Sequence, residues 1–128
     1  MLCSEPPAAL KGGHVVRRAD QFHFSGDEAD PTALPLSVFI LAILATDDRT
    51  AATLSFQHTT PMGTALWLSS EGRKEWPIYV SRNAHNLVVP WSTNVTPGDH
   101  ELDLFVDGVR VSRLFFTVDY TGDRPLAN

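Results

Sequence analysis

The chain has 128 residues, 43% of them hydrophobic and 20% charged, with a net charge of -5. That length supports one domain whose core needs neither metal nor disulfide staples, and the composition is that of a globular chain. The acidic balance argues against broad binding to nucleic acid or an anionic membrane, and the single cysteine, Cys3, excludes an internal disulfide.

Met1 to Leu10 reads as a short first strand ended by Pro6-Pro7, because proline cannot donate to a β-ladder. Gly12-Gly13 is a turn. His14 to Phe24 follows as a strand in which Phe22 and Phe24 alternate around His23. The stretch from Ser25 to Leu34 is polar and rich in turn formers, and is expected to be a loop. Leu36 to Ala45 is a continuous apolar run that fits a buried strand or a buried helix. Val38, Phe39 and Ile40, with no well-placed helix cap, favour a central strand covered on both faces.

Ala52 to His58 alternates Leu54 and Phe56 with Thr53, Ser55 and Gln57, the pattern of a half-buried strand. Pro61-Met62-Gly63 turns the chain, Ala65 to Leu68 is a short strand carrying Trp67, and Glu71 to Lys74 is another turn. Trp76 to Val80 and Leu87 to Trp91 are strands, with Arg82-Asn83 between them. From Thr96 to Val118 the sequence spells a β-hairpin around Asp107-Gly108, a dipeptide suited to positive φ. Pairing across that turn sets Val106 opposite Val109, Phe105 opposite Arg110, and Leu104 opposite Val111. Strict alternation would then bury Arg113, so a bulge at Ser112-Arg113-Leu114 is expected, leaving Val111, Phe116 and Val118 inside and Phe115 outside. Short strands with turns every ten or so residues indicate an antiparallel sandwich or barrel of seven to nine strands. Residues 1–121 form the expected domain, and Gly122 to Asn128 a flexible tail.

Met1-Leu2-Cys3, the Gly12-Gly13 turn, the run Leu34 to Phe39, and the end Pro97-Gly98…Val106-Asp107-Gly108…Phe116-Thr117-Val118 occur in an order that resembles a family of small, uncharacterised bacterial proteins. That family tends to have an acid where Ser4 stands, lacks Pro6-Pro7, and carries a second glycine pair missing here. The resemblance implies an immunoglobulin-like sandwich in a bacterial cytoplasm and no known activity. The absence of a basic, apolar start after Met1 agrees with a cytoplasmic location, and no apolar run is long enough to span a bilayer as a helix.

Chemistry has few seats. His14, His23, His58, His85 and His100 show no metal-ligand spacing, and no metal or cofactor is expected. An enzyme would need His23, His58 and an acid such as Asp20 to converge. Cys3 on a terminal strand lacks the cation or helix N-terminus that makes a thiol reactive. No nucleophile elbow or phosphate loop is present. Two binding features remain. Phe105 and Phe115, beside Arg110, are expected on an outer sheet face, covered by a partner, by a second copy, or by the loop from Ser25 to Leu34. Trp67, Trp76, Tyr79 and Trp91 fall within 25 residues, with two of the three tryptophans read as core and the rest available to stack on a ligand.

The expected function is therefore a non-enzymatic protein-interaction or assembly module that self-associates through a sheet face. A structural component of a phage or other large particle, and a carbohydrate- or small-ligand-binding module using surface tryptophans, are the alternatives. The expected partners are another protein or a second copy, with no nucleic acid and no membrane.

Overall fold

The computed structural model describes residues 1–5, 8–10, 13–15, 19–25, 32–47 and 49–121, with backbone only for 8–10 and 13–15. Among these, the chain forms eleven strands: β1 (Leu2–Cys3), β2 (Ala8–Leu10), β3 (Gly13–Val15), β4 (Gln21–Ser25), β5 (Leu34–Leu44), β6 (Thr50–Thr59), β7 (Ala65–Trp67), β8 (Trp76–Val80), β9 (His85–Val95), β10 (Gly98–Val106) and β11 (Val109–Thr121). No helix among the described residues is long and apolar enough to cross a membrane. The expected Pro6-Pro7 break, Gly12 of the expected Gly12-Gly13 turn, most of the Ser25–Leu34 loop and the tail after Thr121 lie outside the described residues.

Three strands form one sheet in the order β1-β5-β9, and six form a second, β4-β11-β10-β6 with β7 and β8 sharing the far edge of β6. β2 and β3 pair with each other. The apolar run that fits helix or strand alike is a strand: β5 pairs antiparallel with β9 along its whole length, from Leu34↔Val95 to Leu44↔His85. β-Branched residues at its centre suit the pleated surface. It is not covered on both faces throughout, because Pro35 and Ser37 are exposed while Leu34, Leu36, Val38 and Ile40 point inward.

Both sheets send their inner faces into one core. β5 and β9 contribute Val38, Ile40, Val89 and Trp91, which meet Leu54, Phe56, Leu102, Phe116 and Val118 of the larger sheet. Trp76 of β8 packs edge-on against Phe56 at 5.4 Å. At roughly 25 cal/mol per Å² of apolar surface removed from water, this shared burial is the main force holding the sheets together.

The larger sheet is mixed, which corrects the expectation of a wholly antiparallel sandwich. β4 runs parallel to β11, with Thr117↔Gln21 through Thr121↔Ser25 in register. Alternation of apolar and polar residues specifies which face a strand buries, not the direction of the neighbour it joins. The count also exceeds seven to nine, because four of the strands are only two or three residues long.

The closing hairpin forms at Asp107-Gly108, where both residues have positive φ, 50° and 81°. Such a primed turn matches the twist of the strands it joins. Val106↔Val109 and Phe105↔Arg110 pair as the sequence predicts, but Leu104 faces Ser112, so the bulge is at Val111, earlier than expected. The shift has the anticipated effect downstream: Phe116 and Val118 are buried and Phe115 is exposed. Val111, expected inside, is exposed because it is the unpaired residue of the bulge.

Candidate ligand groove on the outer sheet face

The outer face of the six-stranded sheet follows from register. Thr53, Ser55, Gln57 and Thr59 of β6 lie beside Glu101, Asp103 and Phe105 of β10, which lie beside Phe115, Arg113 and Arg110 of β11. Trp67 stands opposite Gln57, and Tyr79 opposite Ala51. The face is polar with separate aromatic side chains, as expected for the solvent side of an antiparallel sheet.

The four aromatic residues singled out from sequence divide cleanly. Trp76 and Trp91 are core residues, while Trp67 and Tyr79 are 51% and 59% exposed. Phe115 is 63% exposed, and Phe105 is half-buried because Trp67 packs edge-on against it at 5.1 Å. Phe105 and Phe115 do not form a common patch. Between them lies an ionic cluster in which Asp103 meets Arg113 at 3.2 Å and Arg110 at 3.9 Å, and Glu101 meets Arg113 at 3.3 Å. Asp103 itself is buried under these partners. Its carboxylate desolvation is offset by the charge-assisted bond from the guanidinium.

A groove of about 520 Å³ opens beside Trp67, lined by Thr53, Ser55, Trp67, Lys74, Glu75, Asp107 and Gly108. Its position follows from the edge of β6. β7 pairs with residues 57–59 and β8 with residues 50–54, so neither strand covers the outer side chain of Ser55. Between them the chain dips inward: the Leu68 N–H bonds the Phe56 carbonyl at 2.9 Å and Leu68 is buried. It then turns through Glu71 and Gly72, both at positive φ, and returns to β8 past Lys74 and Glu75. The opposite wall is the hairpin turn, fastened to β6 by the Asp107 N–H to the Thr53 carbonyl and by the Thr53 N–H to Asp107 Oδ1, both 2.9 Å.

Most polar side-chain groups of the groove have no protein partner among the described residues. Among the described residues, Lys74 and Glu75 have no ion-pair partner, the hydroxyls of Thr53 and Ser55 make no hydrogen bond, and Asp107 keeps its second carboxylate oxygen free. A concave surface of this size with one aromatic wall and a few convergent polar groups is the usual form of a small-ligand site. A second crevice, of about 430 Å³, opens between the sheets, but its side chains are apolar apart from Ser112. Its polar groups are backbone atoms, the Ser112 hydroxyl and the N-terminal amine of Met1, which already donates to the Leu41 carbonyl.

His58 and His100 form the other unusual group, and they face the core. The rings stack at 5.1 Å, and His58 Nε2 lies 2.8 Å from His100 Nδ1. The Thr96 carbonyl, 2.8 Å from His100 Nε2, can only accept, so His100 donates there, accepts at Nδ1, and receives the Nε2–H of His58. Phe116 stacks on His100 at 4.9 Å and Trp91 closes edge-on against His58 at 5.0 Å. Burial first, and the neighbouring His100 second, push the His58 imidazole down to about 4. Burial also lowers His100, against the opposing pull of the Thr96 carbonyl and Asp99. The pair is neutral and structural. His23 is on the exposed face of β4 and His58 inside the core, so the two do not converge as an enzyme would require. Sequence spacing gave no hint of the pair, because its members lie 42 positions apart and are brought together only by the pairing of β6 with β10. Among the described residues no cluster of three or more His, Cys, Asp or Glu is placed to hold a metal.

No family model matches the sequence, and no curated protein matches it. One solved structure that part of this chain matches is the Pseudomonas fluorescens alkylpurine DNA glycosylase AlkC bound to DNA containing an abasic site analog. It is 9% identical with a TM-score of 0.45, and the match covers 78% of this chain and 28% of that one. The expected partners, another protein or a second copy with nucleic acid excluded, are corrected at this point: the matched structure is itself a DNA complex, and net charge alone does not sustain the exclusion. At that identity and TM-score the likeness brings neither an activity nor a ligand to this chain.

Proposed function

We propose that this chain is a binding module rather than a catalyst, and that its site is the outer-face groove beside Trp67. One observation carries the reading: Trp67 is half exposed, held edge-on by Phe105, and forms one wall of a groove whose hydroxyls, Lys74 amine, Glu75 carboxylate and second Asp107 oxygen have no partner among the described residues. A large, rigid aromatic side chain fixed in place loses little entropy when a ligand covers it. The histidines that would serve acid–base chemistry are sealed in the core or lie apart from the groove. The scaffold beneath is an immunoglobulin-like sandwich in this reading, supported by two sheets that share one core.

A thermal-shift screen of sugars, nucleotides and small aromatic compounds tests the proposal on the wild type and on Trp67→Ala. A ligand at one hundred times its Kd adds about 2.7 kcal/mol, a rise of several degrees for a domain of this size. The expected result is such a rise in the wild type alone. A rise of equal size in Trp67→Ala, or none with any compound, overturns it.

A further inference from the structure

The chemistry of the groove narrows what it holds. We propose that its ligand is a saccharide, with one sugar ring stacked on the Trp67 indole and its hydroxyls bonded along the groove floor. This rests on the groove being the binding site.

The argument is one of matching donors and acceptors. A sugar hydroxyl both donates and accepts, so neighbouring hydroxyls are met best by a mixed set of acceptors and donors. Here Glu75 and the free oxygen of Asp107 accept, Lys74 donates, and the hydroxyls of Thr53 and Ser55 do either. Bonds to charged partners are the stronger kind, and a site built to bond hydroxyls rejects ligands that lack them, because its own groups would then be left unpaired. The apolar face of the ring is met by the indole, which is half exposed and lines the groove. A phosphate-bearing ligand meets two carboxylates against one amine in the same space, an unfavourable balance. A purely apolar ligand would strand all of these groups without water.

The wall opposite Trp67 is also preorganised. Asp107 is held at φ 50° in the turn, and its Oδ1 is committed to the Thr53 N–H at 2.9 Å. Its second oxygen is therefore aimed by the backbone rather than by a free rotamer, which lowers the ordering cost of binding. Gly108 beside it has no side chain to obstruct the opening, and a Cβ there would meet nothing within 4 Å.

The test is isothermal titration of the full chain with neutral oligosaccharides of several linkages and, separately, with single-stranded DNA, each at low and high salt. Three variants accompany the wild type: Trp67→Ala, Asp107→Asn and Tyr79→Ala. Asparagine tolerates the left-handed turn and keeps the Thr53 bond, so Asp107→Asn folds while losing one charged acceptor. The expected result is saccharide binding that changes little with salt, weakens about tenfold or more in Trp67→Ala, weakens less in Asp107→Asn, and is unchanged in Tyr79→Ala. Salt-sensitive binding of DNA, lost in Trp67→Ala, with no saccharide binding, overturns the ligand class while leaving the groove as the site. Saccharide binding that persists in Trp67→Ala, or no binding of either probe, overturns the groove itself.

Discussion

The His58–His100 pair makes the stability of this fold depend on pH in a way that can be calculated. An imidazole has an ordinary value near 6.5, and that of His58 stands at about 4 in the folded chain. Because the folded value is the lower one, the unfolded chain binds more protons between these limits, and stability falls as pH falls. The His58 contribution is whole above pH ~6.5 and is lost as the pH drops toward 4. At ~1.4 kcal/mol per unit, the loss reaches about 3 kcal/mol, a large share of the roughly 5–15 kcal/mol that holds a domain together. His100, also lowered, acts in the same direction. The assay is urea denaturation at half-unit steps from pH 7.5 to 4.5, on the wild type and on His58→Gln. Glutamine keeps a donor for His100 Nδ1 and does not titrate. His58→Gln is expected to be less stable at pH 7 but to fall with a slope shallower by up to ~1.4 kcal/mol per unit. Parallel profiles for the two proteins across that range would refute the reasoning.

Gly98 opens β10 at φ 131°, and a Cβ there would lie 2.8 Å from the Pro61 ring. Gly98→Ala is expected to cost about 1–3 kcal/mol in chemical denaturation, whereas Gly63→Ala, with open space around it, pays only for its backbone conformation. Asp103 is buried beneath Arg113 and Arg110, so Asp103→Ala is expected to cost about 1–3 kcal/mol. Glu101→Ala, the more exposed acid on the same Arg113, is expected to cost less than ~1 kcal/mol. Cys3 is buried and its thiol is pushed up by burial. It should resist a thiol reagent in the native protein and react at once in denaturant.

The sequence was most informative where alternation and turn chemistry acted together. Leu54 and Phe56 against Thr53, Ser55 and Gln57 announced both the strand and its two faces, and Asp107-Gly108 announced the turn and its first two cross-strand pairs. In β8 the same alternation turns Trp76, Ile78 and Val80 to one face and Tyr79 to the other. The bulge was legible as a need, because Arg113 could not be buried, but its place at Val111 was not. The need is set by side-chain polarity, whereas the place depends on how the two backbones twist away from the turn. The parallel docking of β4 on β11 was invisible, since the same alternation serves either direction.

For the site, sequence supplied Trp67, Phe105 and Tyr79 but not their grouping. Lys74, Glu75, Thr53, Ser55 and Asp107 read individually as turn and surface residues. Only the shared edge of β6, where β7 gives way to β8, makes them neighbours. Alternation puts Phe105 and Phe115 on one outer face, yet the aromatic partner of Phe105 is Trp67, and the ion-paired Asp103 and Arg113 separate the two phenylalanines. The histidine pair was missed for a similar reason. His58 and His100 each alternate inward on their own strands, but nothing local shows that β6 and β10 are adjacent.

The claim that the groove beside Trp67 is where this protein binds is tested most directly by the three tryptophan side chains. Their indole N–H signals are resolved in a nitrogen–proton correlation spectrum of the labelled protein, and each is assigned by one Trp→Phe substitution. Titration with a binding oligosaccharide is expected to move the Trp67 signal progressively while those of the core residues Trp76 and Trp91 hold still. A Trp67 signal that stays fixed while the ligand binds would place the site elsewhere and contradict the account.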